Sequence, residues 1–188
     1  MTFDGLSGNY ATIVADPPWH YAYATPPNPG LAGHIGVPYV AQPLPYSSMP
    51  LDDIKALSVA DVAAPDARLF MWTTNRYLRQ SWSVVESWGF EATGRVLVWC
   101  KKPMGTLNVT TEFIIMAKRG RPPRMPWTPT TWYDWKRPHH QHSRKPDAFM
   151  DLVESWCPGP YVELFARSAR PGWDAWGDEA PSAEAIGA

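Results

Sequence analysis

Apolar residues gather along this chain into five short, nearly continuous runs, separated by stretches in which they recur every three or four positions. The runs are Thr12 to Ala15, Arg68 to Thr73, Arg95 to Cys100, Glu112 to Ala117 and Tyr161 to Ala166. Their lack of strict alternation predicts strands covered on both faces. Pro50 opens a first helical pattern, with Asp52 and Asp53 in its first turn and Leu51, Ile54 and Leu57 on one face. Tyr77, Ser81, Val84, Val85 and Trp88 form a second stripe, stopped by Gly89. Phe149, Leu152, Val153 and Trp156 form a third, entered after Pro146 and ended by Pro158-Gly159. Strands alternating with helices predict one α/β domain over residues 1–188, a doubly wound and mostly parallel sheet flanked by helices, with an antiparallel neighbour around 95 to 117. Two connections are too long for a minimal domain of this kind. Residues 20–49 and 118–145 are rich in Pro, Trp, Tyr and basic side chains, and loops of that length are usually functional or disordered. Their aromatic content argues for substrate loops that order on a ligand, with static packing on the body as the alternative.

Composition narrows the class without naming a chemistry. The 188 residues are 45% hydrophobic, enough for a substantial core. No run approaches the ~18 apolar residues of a membrane span, and the N-terminus lacks a signal-peptide layout, so the expectation is a cytoplasmic protein with no membrane partner. Two cysteines, Cys100 and Cys157, are too few for a disulfide framework and read as buried thiols. Net charge is −1, which by itself predicts no polyanion partner. Its distribution changes that. Residues 118–145 carry eight Lys and Arg against Asp134 alone, net +7, and the remainder is net −8. Arg119, Arg121, Arg124, Lys136 and Arg137, interleaved with Trp127, Trp132, Tyr133 and Trp135, are therefore candidate contacts to a nucleic-acid backbone and its unstacked bases. A solvated loop pairing with carboxylates of the body is the alternative. His139, His140 and His142 find no Cys or acidic partner at ligand spacing, so no metal is expected.

The densest candidate chemistry follows the first run. Asp16-Pro17-Pro18-Trp19 offers a carboxylate, two residues without backbone N–H groups, and an aromatic face. An amino group conjugated to a base is a poor nucleophile. It gains from acceptors for its N–H groups as the nitrogen becomes tetrahedral, and Asp16 with the Pro17 carbonyl can supply them while Trp19 stacks on an unstacked base. Asp-Pro-Pro is also a common turn, and a neighbouring Trp is also a packing residue. A strand ending at Ala15 would deliver Asp16 to the edge of a parallel sheet where ligands collect. In the C-terminal third, Lys145 precedes a helix, Glu163 interrupts an apolar strand at a cost unless it finds a partner, and Trp176-Gly177-Asp178-Glu179 forms a polar and aromatic turn. S-adenosylmethionine fits this inventory: carboxylate to Lys145, amine to Asp16, diol and adenine to the last strand and turn. A Glu163 to Arg167 pair that binds nothing is the alternative. No Gly-rich phosphate fingerprint is present.

Six blocks in order carry a resemblance. Asp16-Pro17-Pro18-Trp19, Pro45-Tyr46-Ser47-Ser48-Met49, Leu69-Phe70-Met71-Trp72-Thr73, His142-Ser143-Arg144-Lys145-Pro146-Asp147, Glu163-Leu164-Phe165-Ala166-Arg167 and Pro171-Gly172-Trp173 resemble the DPPW family of S-adenosylmethionine-dependent N6-adenine methyltransferases. That family includes the catalytic subunit of the messenger-RNA adenosine methylase and bacterial and phage enzymes that act on DNA. The resemblance implies a Rossmann-like methyltransferase with permuted motif order, methylating adenine in nucleic acid, DNA being favoured. Asp16, Pro17, Pro18 and Trp19 become the catalytic loop, with Asp16 also near the methionine amine of the cofactor. Lys145 becomes the ligand of the cofactor carboxylate; Glu163, Phe165, Arg167, Asp178 and Glu179 become its nucleoside end; Tyr46 and Trp19 become contacts to the target base. The family usually has Asn where this chain has Asp178, and only 15 residues precede Asp16, so some cofactor contacts of longer relatives are expected to be missing. Accessory domains are also expected to be missing, which would leave specificity to the two loops or a partner chain; a homodimer or a partner subunit is the expected assembly. The competing readings are a silent methyltransferase-like nucleic-acid-binding subunit, or amine methylation of RNA adenine, DNA cytosine or a protein glutamine.

Overall fold

The computed structural model describes residues 3–20, 48–101, 110–136 and 144–181. The elements in chain order are β1 (Tyr10–Ala15), α1 (Leu51–Lys55), α2 (Val59–Val62), β2 (Ala63–Thr74), α3 (Leu78–Ser87), β3 (Glu91–Cys100), β4 (Thr111–Arg119), β5 (Trp132–Tyr133), α4 (Asp147–Trp156), β6 (Tyr161–Leu164) and β7 (Trp173–Trp176). They build one seven-stranded sheet in the order β5-β3-β4-β2-β1-β6-β7. β4 runs antiparallel to β2 and β3, and the other neighbours are parallel. This is the expected doubly wound arrangement, with the antiparallel pair where the sequence placed it.

The continuous apolar runs have a direct cause. Ile13, Ala15, Leu69, Met71 and Ile115 face one cluster with Ile54, Val59, Val84 and Val85 from α1, α2 and α3 and with Trp88 just after α3. Val14, Phe70, Trp72, Ile114 and Met116 face the other, with Phe149, Met150 and Val153 from α4. Both faces of the central strands are covered, so alternation has no polar side to display. Chain order also reverses at β1, which has β2 on one side and β6 on the other. The carboxyl ends of β1, β2 and β6 therefore converge with the start of β4, and such a switch point is where an open sheet leaves a crevice.

Several boundaries moved. The helix after Pro50 lasts five residues and is followed by a second short helix, α2, that the periodicity did not separate. β2 begins at Ala63 rather than Arg68, its first half disguised by Pro65 and Asp66. β3 begins at Glu91, ahead of a register shift between Ala92 and Val96. β6 stops at Leu164, not Ala166, because Phe165 takes a left-handed conformation with φ 63°. Edge strands β5 and β7 were missed: the first is two residues long, and the second reads Trp-Asp-Ala-Trp with no apolar run. The described part of the second long connection, residues 118–136, is partly packed on the body, with Trp127 and Trp132 left exposed. Met125, Tyr133 and Trp135 pack on the α4 side of the core, and β5 hydrogen-bonds along β3.

Candidate active site

β1 delivers its carboxylate to the crevice. The Asp16 N–H donates to the Leu164 carbonyl (3.3 Å), and the chain then folds tightly, the Trp19 N–H donating to the Pro17 carbonyl and the Met49 N–H to the Pro18 carbonyl, each at 2.8 Å. A carbonyl has two lone pairs, so Pro17 keeps one acceptor site and the stiff kink is pinned from both ends.

Trp19 does not serve as the stacking face that the sequence suggested. It is only 3% exposed, its ring is stacked on Tyr77 (centroids 5.0 Å, 18° between planes), and its Nε1 donates to the Trp72 carbonyl at 3.3 Å. The apolar area of an indole outweighs its one polar atom, and an internal carbonyl satisfies that atom, so the ring is buried. Trp19 anchors the loop to β2 and to the segment leading into α3. Trp19→Ala should therefore destabilise the fold by about 3–5 kcal/mol, read as a lowered urea midpoint; an unchanged midpoint would contradict this placement.

Asp16 meets Lys145, which lies just before α4: Nζ to Oδ2 is 2.7 Å, with side-chain exposures of 11% and 13%. The ammonium also approaches Glu112 Oε2 at 3.4 Å and lies 5.3 Å from the Trp72 ring centroid. Glu112 in turn pairs with Lys101 through Oε1. Burial works against the charges of Lys145 and Glu112, but the two carboxylates raise the Lys145 pKa, and Lys145 and Lys101 hold the Glu112 carboxyl below its ordinary value. Sequence reasoning placed Glu112 in a strand and gave it no role. The available signal was a carboxylate at the head of the apolar run Phe113-Ile114-Ile115-Met116.

Glu163 on β6 faces the same crevice. Burial, and next the charge of Asp16, push its pKa up to about 7 despite opposing pulls from Lys145, Arg144 and Arg167. Arg167 Nε bridges Glu179 Oε2 at 3.0 Å, and its charge also acts on Glu163. A folded pKa raised from the ordinary 4.5 means that the native state binds the extra proton. Stability from this group is present below pH 4.5 and is lost as pH rises through about 7. Urea unfolding of the protein should thus show stability falling across that window, with the slope flattened in Glu163→Gln; equal slopes would refute the assignment.

Two cavities share Phe165 and Arg167. The smaller, about 160 Å³, is lined by Asp16, Lys145 and Glu163, and by Ser168 to Pro171. The larger, about 500 Å³, lies between Pro18, Met49 and Leu57 on one side and Trp176, Asp178 and Glu179 on the other. A charged compartment joined to a wider amphipathic one suits a ligand with a zwitterionic end and a flat nucleoside end. Phe165 and Gly177 shape the junction. The Ala166 N–H donates to the Trp176 carbonyl (3.0 Å), Phe165 packs edge-on against Trp176, and Gly177 has φ 143°.

The structure thus brings Asp16, Pro17, Pro18, Lys145, Glu163, Phe165, Arg167, Asp178 and Glu179 around one crevice. It does not bring Arg119, Arg121 and Arg124 there. Arg119 is registered with Ala67, whereas Glu112 is registered with Thr74, so Arg119 lies about 23 Å down the sheet at ~3.3 Å per residue. Its Nη1 donates to the Ala60 carbonyl (2.6 Å), and the Arg121 N–H donates to Asp66 Oδ1 (2.6 Å). A nine-residue β4 carries these cations to the opposite edge, a displacement that sequence proximity hides. Lys136 is exposed just beyond Trp135, whose carbonyl accepts from Trp99 Nε1 at 2.9 Å, and Trp132 nearby is 61% exposed. Tyr46, Arg137 and the three histidines lie outside the described residues. Among the described residues no helix is long and apolar enough to cross a membrane, and no cluster of potential metal ligands occurs.

Comparison with known proteins gives the site its context. The MT-A70 family profile matches residues 10–179. The Type II methyltransferase M.MunI of a Mycoplasma species is 33% identical over 184 residues, which cover 92% of this chain and 78% of that protein. N6-methyladenosine RNA methyltransferase MTA1 of Pyricularia oryzae is 30% identical over 200 residues, 91% of this chain and 47% of its own length. N(6)-adenine-specific methyltransferase METTL4 of Mus musculus is 29% identical over 191 residues, 90% of this chain and 37% of its own.

Proposed function

The chain belongs to the MT-A70 family, and from that premise we propose that it moves a methyl group from S-adenosylmethionine to N6 of adenine in DNA. The observation that carries the reading is the placement of Asp16 at the carboxyl end of β1, where chain order reverses, paired with Lys145 beside a charged cavity that Glu163 also lines. S-adenosylmethionine supplies an electrophilic methyl group on a sulfonium.

The residues of this chain supply geometry and charge. Asp16 accepts an N–H of the target amine, and the remaining lone pair of the Pro17 carbonyl accepts the other. Lone-pair density on the nitrogen grows as both hydrogens are held, and the two prolines themselves bring no backbone N–H to the turn. Lys145 is the cation for the cofactor carboxylate. Glu163 offers acceptors for two ribose hydroxyls, whose donation favours its ionised form and offsets the burial that raises its pKa. Phe165, Trp176 and the turn at Gly177 to Glu179 bound the adenine end of the larger cavity. Asp178 provides an acceptor where an amide would offer both a donor and an acceptor, so the contact there is to an N–H or O–H group. Trp19 acts behind the site, holding the loop rather than the base.

DNA is favoured over RNA because M.MunI, a Type II methyltransferase, is the relative whose own length this chain spans most fully among those described, whereas it spans under half of the others. Lys136 and the exposed Trp132 are the part of the basic segment placed to meet a phosphate backbone and an unstacked base near the catalytic edge. The test is mass spectrometry of nucleosides from the DNA and RNA of cells expressing the chain. N6-methyladenine in DNA is the expected product. N4-methylcytosine, or methylation confined to RNA, would replace the substrate assignment, and no methylated base in either would remove the catalytic one.

A further inference from the structure

Four ionisable side chains form a ladder along the carboxyl edge of the sheet: Asp16, Lys145, Glu112 and Lys101, alternating in sign. They lie just after β1, just before α4, at the second residue of β4 and just after β3. All are between 11% and 19% exposed, so the pairs interact in a poorly screened environment. The reading of the site uses Asp16 and Lys145 and leaves Glu112 and Lys101 unassigned. Their chemistry raises a conflict. An ammonium bonded to Asp16 alone would neutralise the carboxylate that the target amine needs as an acceptor, and it would have little charge left for a second anion.

We propose that Glu112 is a positioning residue that shares the Lys145 ammonium with Asp16, leaving Asp16 an effective acceptor for the amine and limiting how strongly Lys145 holds the cofactor carboxylate. The inference rests on the methyltransferase reading. Geometry supports the sharing: the ammonium is 2.7 Å from Asp16 Oδ2 and 3.4 Å from Glu112 Oε2, so a small shift changes its allegiance without moving the backbone. The Trp72 ring, 5.3 Å away, provides a face along which the cation can move. Lys101, on the other oxygen of Glu112, keeps that carboxylate ionised and aimed along the ladder.

The arrangement makes a prediction with opposed signs. In Glu112→Gln the ammonium loses the charge of the Glu112 carboxylate. It then binds Asp16 and an incoming carboxylate more strongly, so cofactor affinity should rise several-fold while turnover falls by roughly tenfold, a positioning effect smaller than removal of a direct contact. A purely structural role would weaken both. Titration calorimetry with S-adenosylhomocysteine and with S-adenosylmethionine reads affinity, and methyl transfer from labelled S-adenosylmethionine to unmethylated plasmid DNA reads turnover. Glu112→Asp, which keeps the charge, should recover most of the turnover and return affinity towards that of the unmodified protein. Unchanged or weaker cofactor binding in Glu112→Gln overturns the inference while leaving the methyltransferase reading intact. Absence of any cofactor heat in the unmodified protein overturns both.

Discussion

Asp16→Asn should lower methyl-transfer turnover by about 10²- to 10³-fold, the usual scale for losing one preorganised electrostatic contact to a developing charge, with the protein still folded. Asparagine has nearly the same shape, so the tight turn at Pro17 and the hydrogen bonds from Trp19 and Met49 are kept. What changes is charge. An amide oxygen is a weaker acceptor for the amine hydrogens, and its NH₂ group presents donors towards Lys145 at the place where a carboxylate oxygen lay 2.7 Å away. Lys145 still has Glu112, so the buried cation is not orphaned and the stability loss stays near 1–3 kcal/mol, below the 3–5 typical when a buried pair is broken outright. Turnover within a few-fold of the unmodified enzyme would show that position 16 does not touch the reacting amine. Unfolding of the variant at ambient temperature would show that the ion pair is mainly structural.

Gly177→Ala should reduce cofactor affinity by about tenfold or more and lower the melting temperature, because its effect falls on backbone rather than on a side chain able to yield. Gly177 has φ 143°, a region that L residues avoid, and a Cβ there would lie 2.7 Å from the Phe165 Cα. Phe165 is itself left-handed, and the Ala166 N–H ties the same strip to the Trp176 carbonyl. The two segments cannot separate without opening the junction between the cavities. Gly172→Ala is the control: its φ is 80°, but nothing lies within 4 Å of the new Cβ, so it carries only the local backbone penalty of about 1–2 kcal/mol and leaves cofactor binding alone. Calorimetry and thermal unfolding on both variants check this. Equal behaviour of the two would mean that the close approach at Gly177 does not shape the cofactor cavity.

The core strands were legible because burial on both faces writes itself as an uninterrupted apolar run, as at Ile13-Val14-Ala15 and Phe113 to Ala117. β5 and β7 were not. An edge strand of two to four residues is held by neighbours distant in sequence, and Trp132-Tyr133 carries no periodicity of its own. The Asp16-Pro17-Pro18-Trp19 turn was legible as a candidate for chemistry, but the placement of its ring was not. Whether Trp19 faces a ligand or the core depends on Tyr77 and the Trp72 carbonyl, which lie more than fifty residues away. Glu112 illustrates the same limit from the other side. A lone acid at the head of a strand looks like a strand end until Lys101 and Lys145 are seen to close on it. The basic segment is a third case: among its described cations, β4 carries Lys118 and Arg119 to the end of the sheet away from Lys145.

By itself, then, the order of residues determined the alternation of strands and helices, the antiparallel pair and the acid-proline kink at the end of β1, because these are local in sequence or follow from burial period. Tertiary structure alone decided that Asp16 pairs with Lys145 across 129 residues, that Glu112 shares that cation, that Trp19 turns inward, and that Arg119, Arg121 and Arg124 lie far from the crevice. Those outcomes depend on distances between segments brought together by the sheet, and in a poorly hydrated crevice a difference of less than 1 Å in one N to O distance decides which carboxylate a buried ammonium serves.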